Sequence, residues 1–327
     1  MFYTVLYVIH SKIHLVLQSD EHLLSMNQKQ LIVITGPTAV GKTALAIDLA
    51  LYFNTEIISA DSRQVFKEMN IGTAKPTLEE LNAVKHHMIG SLSITEDYDA
   101  GKFSVEAEEL LKELFLKFDR VVLVGGSGMY VKALCDGLDS MPEVDDNIRQ
   151  ELNKSWLDGN KEFLLKELQD NDPEYFKAVD HSNRQRVTRG IEVFRATGQP
   201  YSSFRKGDKK NTNKGYSVIK IGLELDREEL YKRINERMDQ MISDGLFEEA
   251  EKLYKHRKLN ALQTVGYREI FNFLDGEYDK EEAIRLLKRN SRRYAKRQMT
   301  WFKRDQEVTW FNPIEKRKVI EFIETSS

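Results

Sequence analysis

The chain has 327 residues, 41% of them apolar and 31% charged, with a net charge of −3 at pH 7. Such a length holds one large core or two unequal domains, and the balance excludes a disordered tail or a membrane protein. A near-neutral total means that any nucleic-acid surface must be a local cluster of Lys and Arg. The single cysteine, Cys135, excludes an intramolecular disulfide and multi-cysteine zinc sites, and fits a reducing cytoplasm.

Residues 1–25 start apolar but lack a basic beginning, and Lys12, His14, Asp20 and Glu21 interrupt any spanning length. They read as neither signal peptide nor membrane helix. Met26 lies just before the first convincing strand, so residues 1–27 are expected to be an extension without function.

A β-branched run at 31–35 (LIVIT) reads as a buried parallel strand ending at Gly36, with a helix over 42–51 behind it. Further strands are expected at 56–60 (EIISA), ending in Asp61, and at 121–124 (VVLV), ending in Gly125-Gly126-Ser127-Gly128. Between these two, Ala107, Leu111, Leu114, Phe115 and Phe118 share one stripe of a helix over 103–118. Strand and helix alternate as in a doubly wound sheet, whose ligands sit at the carboxyl ends of the strands. The expected fold class is therefore α/β: a P-loop NTPase-like parallel sheet flanked by helices, with an inserted all-helical domain.

That insertion is placed at 141–207, where charged helical segments replace strand signals, and splits the core into 28–140 and 208–312. Residues 206–215 (KGDKKNTNKG) read as a lysine-rich loop, 217–223 (SVIKIGL) as a buried strand, and 227–243, 246–256 and 281–304 as helices. The last stretch, 313–327, is read as a tail. No internal repeat is visible.

Gly36, Pro37, Thr38, Ala39, Val40, Gly41, Lys42 and Thr43 (GPTAVGKT) satisfy the P-loop pattern between a strand and a helix, where that pattern belongs. Backbone N–H groups and the helix N-terminus attract an anion, Lys42 adds a point charge, and the Thr43 hydroxyl can ligate Mg²⁺. Such a loop identifies a phosphate chain, not a reaction. The neighbouring strand at 121–124 ends in glycine and serine rather than an acid, which weakens the NTP-hydrolase reading. Asp61 could serve as a base, a helix N-cap or a magnesium contact; position alone leaves these open.

GPTAVGKT, DSRQVF, IGTAKP, HHMIG, VGGSGMYVKAL, QRVTRGIEVF, VGYRE and AKRQMTWFKR, in this order across residues 30–312, together resemble the bacterial tRNA dimethylallyltransferases. The resemblance implies transfer of a dimethylallyl group from dimethylallyl diphosphate, with Mg²⁺, to N6 of the adenosine 3′ of the anticodon in tRNAs reading U-initial codons. By the same resemblance Asp61 is the base, Thr43 the P-loop threonine, and Ser127 a hydroxyl able to donate to the bridging diphosphate oxygen. Arg237 matches an arginine expected on the diphosphate, whereas Arg233, one turn away, is equally well a solvated partner of Glu229 or Asp226.

The target adenine must be turned out of its loop, so contacts are needed to hold that loop open. The resemblance assigns them to Asp61, Ser62, Arg63 and Gln64, to Ser127 and Arg149, to Gln185, Arg186, Val187, Thr188 and Arg189, and to Gln263, Thr264, Val265, Gly266, Tyr267 and Arg268. Gln64 and Gln185 offer amides suited to base edges, while the arginines suit phosphates. Residues 284–304 carry nine Lys or Arg and no acid, with Ile284, Leu287, Met299 and Phe302 left to pack inward. This basic helix, with Arg292, Lys296 and Arg297, is expected to lie along the tRNA anticodon stem.

His86 and His87 are expected to be structural, since adjacent residues point apart. Met129 and Tyr130 are expected to pack beneath the glycine turn, and Cys135 to be buried. Membrane binding is not expected, and the expected state is a monomer. Rival readings are an adenylate isopentenyltransferase, a small-metabolite P-loop kinase and a non-catalytic RNA-binding module.

Overall fold

A computed structural model describes residues 29–205 and 214–326. The chain divides into two units, one of residues 29–135 and 214–326, the other beginning at residue 136 and described to 205. The expectations for residues 1–27 and for most of the lysine-rich loop lie outside the described residues.

The first unit begins with β1 (Gln30–Thr35), α1 (Lys42–Tyr52), β2 (Ile57–Ser59), α2 (Leu78–Ala83), β3 (His86–His87), α3 (Ala100–Phe115), β4 (Arg120–Val124) and α4 (Gly128–Cys135). The second unit is helical among its described residues: α5 (Asp146–Leu157), α6 (Lys161–Asn171), α7 (Pro173–Ala178), α8 (Arg184–Thr197) and α9 (Tyr201–Phe204). The first unit resumes with β5 (Ser217–Leu223), α10 (Arg227–Ser243), α11 (Leu246–Leu253), α12 (Tyr267–Leu274), α13 (Lys280–Phe302), β6 (Thr309–Phe311) and α14 (Lys316–Thr325).

The six strands form one parallel sheet in the order β3-β2-β4-β1-β5-β6. Successive residues of a strand face opposite ways, and β1 is apolar on both faces because helices cover both. Ile32 and Ile34 join Leu45 and Leu49 of α1 and Val319 and Ile323 of α14; Leu31 and Val33 join Phe103 and Leu111 of α3 and Leu134 of α4. The stretch read as a tail thus carries a helix, whose Val319 and Ile323 are almost wholly buried. A third cluster packs Val65, Phe66 and Met69 against α10, α11 and α12, and the helical unit has its own core around Leu164, Leu168, Val187 and Ile191.

Caps explain where several helices start. Asp99 accepts hydrogen bonds from Gly101 N and Lys102 N at 2.9 Å, so α3 begins at Ala100 rather than at 103, and it ends at Phe115 rather than 118. Thr77 and Glu80 form a capping box on α2. Cys135 and Tyr130 are buried, but Met129, expected beneath the glycine turn, is 46% exposed because it faces away from the sheet-side stripe of α4. Among the described residues no helix is long and apolar enough to cross a membrane.

Candidate active site

Ser59, Val124 and Ile34 are in register across β2, β4 and β1, so the loops that follow them leave the same edge of the sheet. One loop carries Gly36 to Thr43, the next Asp61, the third Gly125 to Gly128. Together with α10, α13 and two segments near Gly72 and Gly266 they enclose a cavity of about 530 Å³.

The loop that starts at Gly36 needs its glycines for two reasons. Gly36 has φ 140° and lies where a Cβ would meet Leu223 O at 2.6 Å; Gly41, at φ 106°, turns the chain into α1. Val40 is wholly buried in the core, so its side chain is unavailable to a ligand. Thr38, Ala39, Gly41, Lys42 and Thr43 line the cavity. The Lys42 ammonium donates to Pro37 O at 2.7 Å, and burial, then the charge of Arg237, push its pKa down to about 7 against the opposing pull of Asp61.

Asp61 lies among cations and phenols. Its Oδ1 accepts from Arg63 N at 2.9 Å and from Gln64 N at 3.2 Å, the side-chain turn that fixes the loop. Burial lowers the pKa of Arg63 and of Arg237, and in both Asp61 works the other way. Burial, then Asp61, raises Tyr294 to about 12. Arg237 reaches Thr38 Oγ1 at 3.5 Å, which brings it to the loop that starts at Gly36; Arg233 pairs with Glu229 at 2.6 Å, the solvated alternative, although it borders the cavity.

The turn after β4 is glycine-rich through close approach rather than through unusual backbone angles. A Cβ on Gly125 would lie 2.1 Å from Ala60 O, on Gly126 2.3 Å from Gln298 Nε2, and on Gly128 2.2 Å from the Trp301 ring. Ser127 Oγ accepts from Ser62 N at 2.9 Å and donates to Ser62 Oγ at 3.1 Å. The Ser127 hydroxyl thus braces the Asp61 loop from the glycine turn.

Two other residues of these blocks have structural partners. Gln64 Nε2 donates to Thr73 O at 3.2 Å and to Ala74 O at 3.0 Å while its Oε1 accepts from Ser59 Oγ at 3.3 Å, so the amide braces the 73–74 loop where the residue lines the cavity. Tyr267 is wholly buried and donates to Glu249 Oε1 at 2.7 Å; the same carboxylate accepts from Asn70 N, Ile71 N and Gly72 N. Tyr267 belongs to the core. Thr264, Val265 and Gly266, just before it, do line the cavity, whereas Gln263 and Arg268 are exposed outside it.

Arg149, Gln185, Arg186, Val187, Thr188 and Arg189 belong to the helical unit. Gln185 and Arg186 are exposed, and Arg149 and Arg189 both pair with the buried Glu192. Val187 is in that unit's core and the Thr188 hydroxyl bonds back to Arg184 O at 2.9 Å, so neither side chain is free for an RNA contact.

Helix α13 departs from its expected packing. Its buried stripe is Ala283, Leu287, Ser291, Ala295, Gln298 and Phe302, with Ile284 and Met299 only half-buried. Its charge is also less free than the sequence implies: Arg285 pairs with Glu282, Lys288 with Asp239, Lys303 with Glu224, and Arg292 donates to Asn235. Arg293, Lys296 and Arg297 are exposed and have no carboxylate partner among the described residues.

Sequence reasoning missed Ser291, Tyr294 and Gln298, which α13 turns into the cavity, and the apolar side formed by Ile234, Met238, Met241 and Leu246. Two polar residues inside the stripe of α13 were the available signal. His86 borders the cavity and bonds Val84 O through Nδ1, while His87 bonds Glu56 at 2.6 Å. Among the described residues no three His, Cys, Asp or Glu gather as metal ligands.

The family model described as IPP transferase matches residues 64–305. The tRNA dimethylallyltransferase of Cytophaga hutchinsonii is 53% identical over 301 residues, covering 92% of this chain and 98% of that protein. The crystal structure of the tRNA isopentenylpyrophosphate transferase from Bacillus halodurans is similar with a TM-score of 0.67 and 38% identity, covering 91% of this chain and 96% of that one. A eukaryotic dimethylallyltransferase, crystallised acting on tRNA, is similar with a TM-score of 0.70 and 26% identity over 84% of this chain and 69% of that one.

Proposed function

The chain belongs to the IPP transferase family, and from that premise we propose that it moves the dimethylallyl group of dimethylallyl diphosphate onto N6 of the adenosine 3′-adjacent to the anticodon, in tRNAs reading U-initial codons. The observation that carries the reading is the meeting, in one cavity, of the anion loop with Lys42 and the Asp61 carboxylate on the neighbouring loop.

In the reaction the bond from the prenyl carbon to the diphosphate oxygen breaks as the bond to N6 forms. The departing anion remains on backbone N–H groups of the loop, Lys42 and Arg237, which the fold gathers around the cavity. The N6 lone pair is delocalised into the ring, so its proton must be taken up as bonding develops, and Asp61 accepts it. Oδ1 of Asp61 is held by two backbone N–H groups, while Oδ2 has no hydrogen-bond partner among the described residues. The apolar wall of Ile234, Met238, Met241 and Leu246 suits a five-carbon chain.

Mg²⁺, when bound, supplies positive charge to the leaving group. Thr43 lines the cavity and would hold it together with diphosphate oxygens and water, the donor set this ion favours over an all-protein cage. Exposed Gln185 and Arg186, with Arg149 and Arg189, supply RNA contacts in the helical unit, and Arg293, Lys296 and Arg297 supply phosphate contacts on α13.

Offering AMP and an anticodon stem-loop side by side, with dimethylallyl diphosphate and Mg²⁺, tests the substrate. Prenylation of the stem-loop alone is expected; prenylation of AMP in its place would move the chain to the free-nucleotide chemistry.

A further inference from the structure

The buried carboxamide of Gln298 joins two loops that the chain brings together from far apart. Its Oε1 accepts from Thr38 N of the anion loop at 2.9 Å, and its Nε2 donates to Gly126 O of the glycine turn at 2.9 Å. Only 7% of the residue is exposed, so both groups would lose a partner without gaining water if it were removed.

The glycine turn is in turn coupled to the Asp61 loop at three points. Ala60 N donates to Val124 O at 2.7 Å, Gly125 packs against Ala60 O with no room for a Cβ, and Ser127 Oγ holds Ser62 N. The path from Thr38 through Gln298, Gly126 and Ser127 therefore ends on the residues that flank Asp61. A Cβ on Gly126 would lie 2.3 Å from Gln298 Nε2 and push that amide aside.

We propose that Gln298 is a positioning residue for the transfer reaction: it fixes the separation between the loop that takes the departing diphosphate and the loop that carries Asp61. In this role it acts through the two loops, although the residue also borders the cavity. Trp301, one turn further along α13, packs on Gly128 and steadies the same seat. The inference rests on the reading of the anion loop as a diphosphate site.

Single-turnover prenyl transfer to an anticodon stem-loop separates positioning from folding, because misfolded protein lowers the amplitude whereas misplacement lowers the rate constant. Gln298→Leu removes both bonds, Gln298→Glu keeps the volume but replaces the donor, and Gly126→Ala displaces the amide from the other side. Each is expected to slow the rate constant at saturating substrates by about 100-fold, the cost of a misplacement near 1 Å. Combining Gln298→Leu with Gly126→Ala should add little, since a single clamp can be broken only once. Stem-loop affinity should stay within a few-fold.

A wild-type rate constant in any of the three variants, at whatever amplitude, overturns the inference. Binding of inorganic diphosphate with Mg²⁺ to the wild-type protein is measured alongside. Its absence overturns the diphosphate site and this inference with it, whereas its presence with unaltered variant rates removes only the role of Gln298.

Discussion

Arg237 stands close enough to Lys42 for its charge, added to burial, to drive the lysine's pKa down to about 7. Two cations facing one cavity repel each other unless an anion joins them, and Asp61 offsets only part of that cost. The proposed diphosphate would complete the arrangement, and the linkage can be read in protons. With the ligand bound, the Lys42 pKa rises, so binding at about pH 8 should take up a proton that binding at about pH 6, where the ammonium is already charged, does not. Calorimetry in buffers of different ionisation enthalpy measures this uptake, and Lys42→Met should remove it; equal proton uptake in the variant would contradict the assignment.

Asp61→Asn tests the base without disturbing the loop, because an amide oxygen can still accept from Arg63 N and Gln64 N. Transfer should fall by about 10²–10⁴-fold, the usual worth of a positioned base. Stem-loop affinity should change by no more than a few-fold, and retained turnover would take Asp61 out of the reaction.

Tyr267 separates family motif from function. Its hydroxyl donates to Glu249 inside the core, so Tyr267→Phe should lower stability to urea by about 1 kcal/mol, the net worth of a typical hydrogen bond. The KM for the stem-loop should not move. An elevated KM with unchanged stability would restore the RNA contact.

Segments that are long or strictly patterned are legible in the sequence. Residues 217–223 and 227–243 form β5 and α10 with the expected bounds, because an uninterrupted apolar run and a sustained 3.6-residue period leave little choice. The two-residue β3 and three-residue β6 are set by pairing with β2 and β5, which no local signal encodes. Gln64 and Tyr267 lie in recognisable blocks, yet a block does not say which way a side chain points. Gln298 was hidden for the opposite reason: it stands among six Lys and Arg within 292–304, and only the packed helix shows it facing inward.

The free charge on α13 has its own signature. Replacing Arg293, Lys296 and Arg297 with Ala should weaken stem-loop binding and flatten its salt dependence by about one unit of slope for each phosphate no longer neutralised. The rate at saturating stem-loop should be unchanged. An unaltered salt slope would leave those three residues as an ordinary solvated face.

The central claim is that the cavity holds a departing diphosphate while its organic half moves onto a base nitrogen of tRNA. Mass analysis of nucleosides from tRNA incubated with the protein, Mg²⁺ and dimethylallyl diphosphate tests it most directly. The expected result is one adenosine carrying a five-carbon prenyl unit, with inorganic diphosphate released in equal amount. Unmodified nucleosides, together with consumption of ATP offered in place of the prenyl donor, would contradict it.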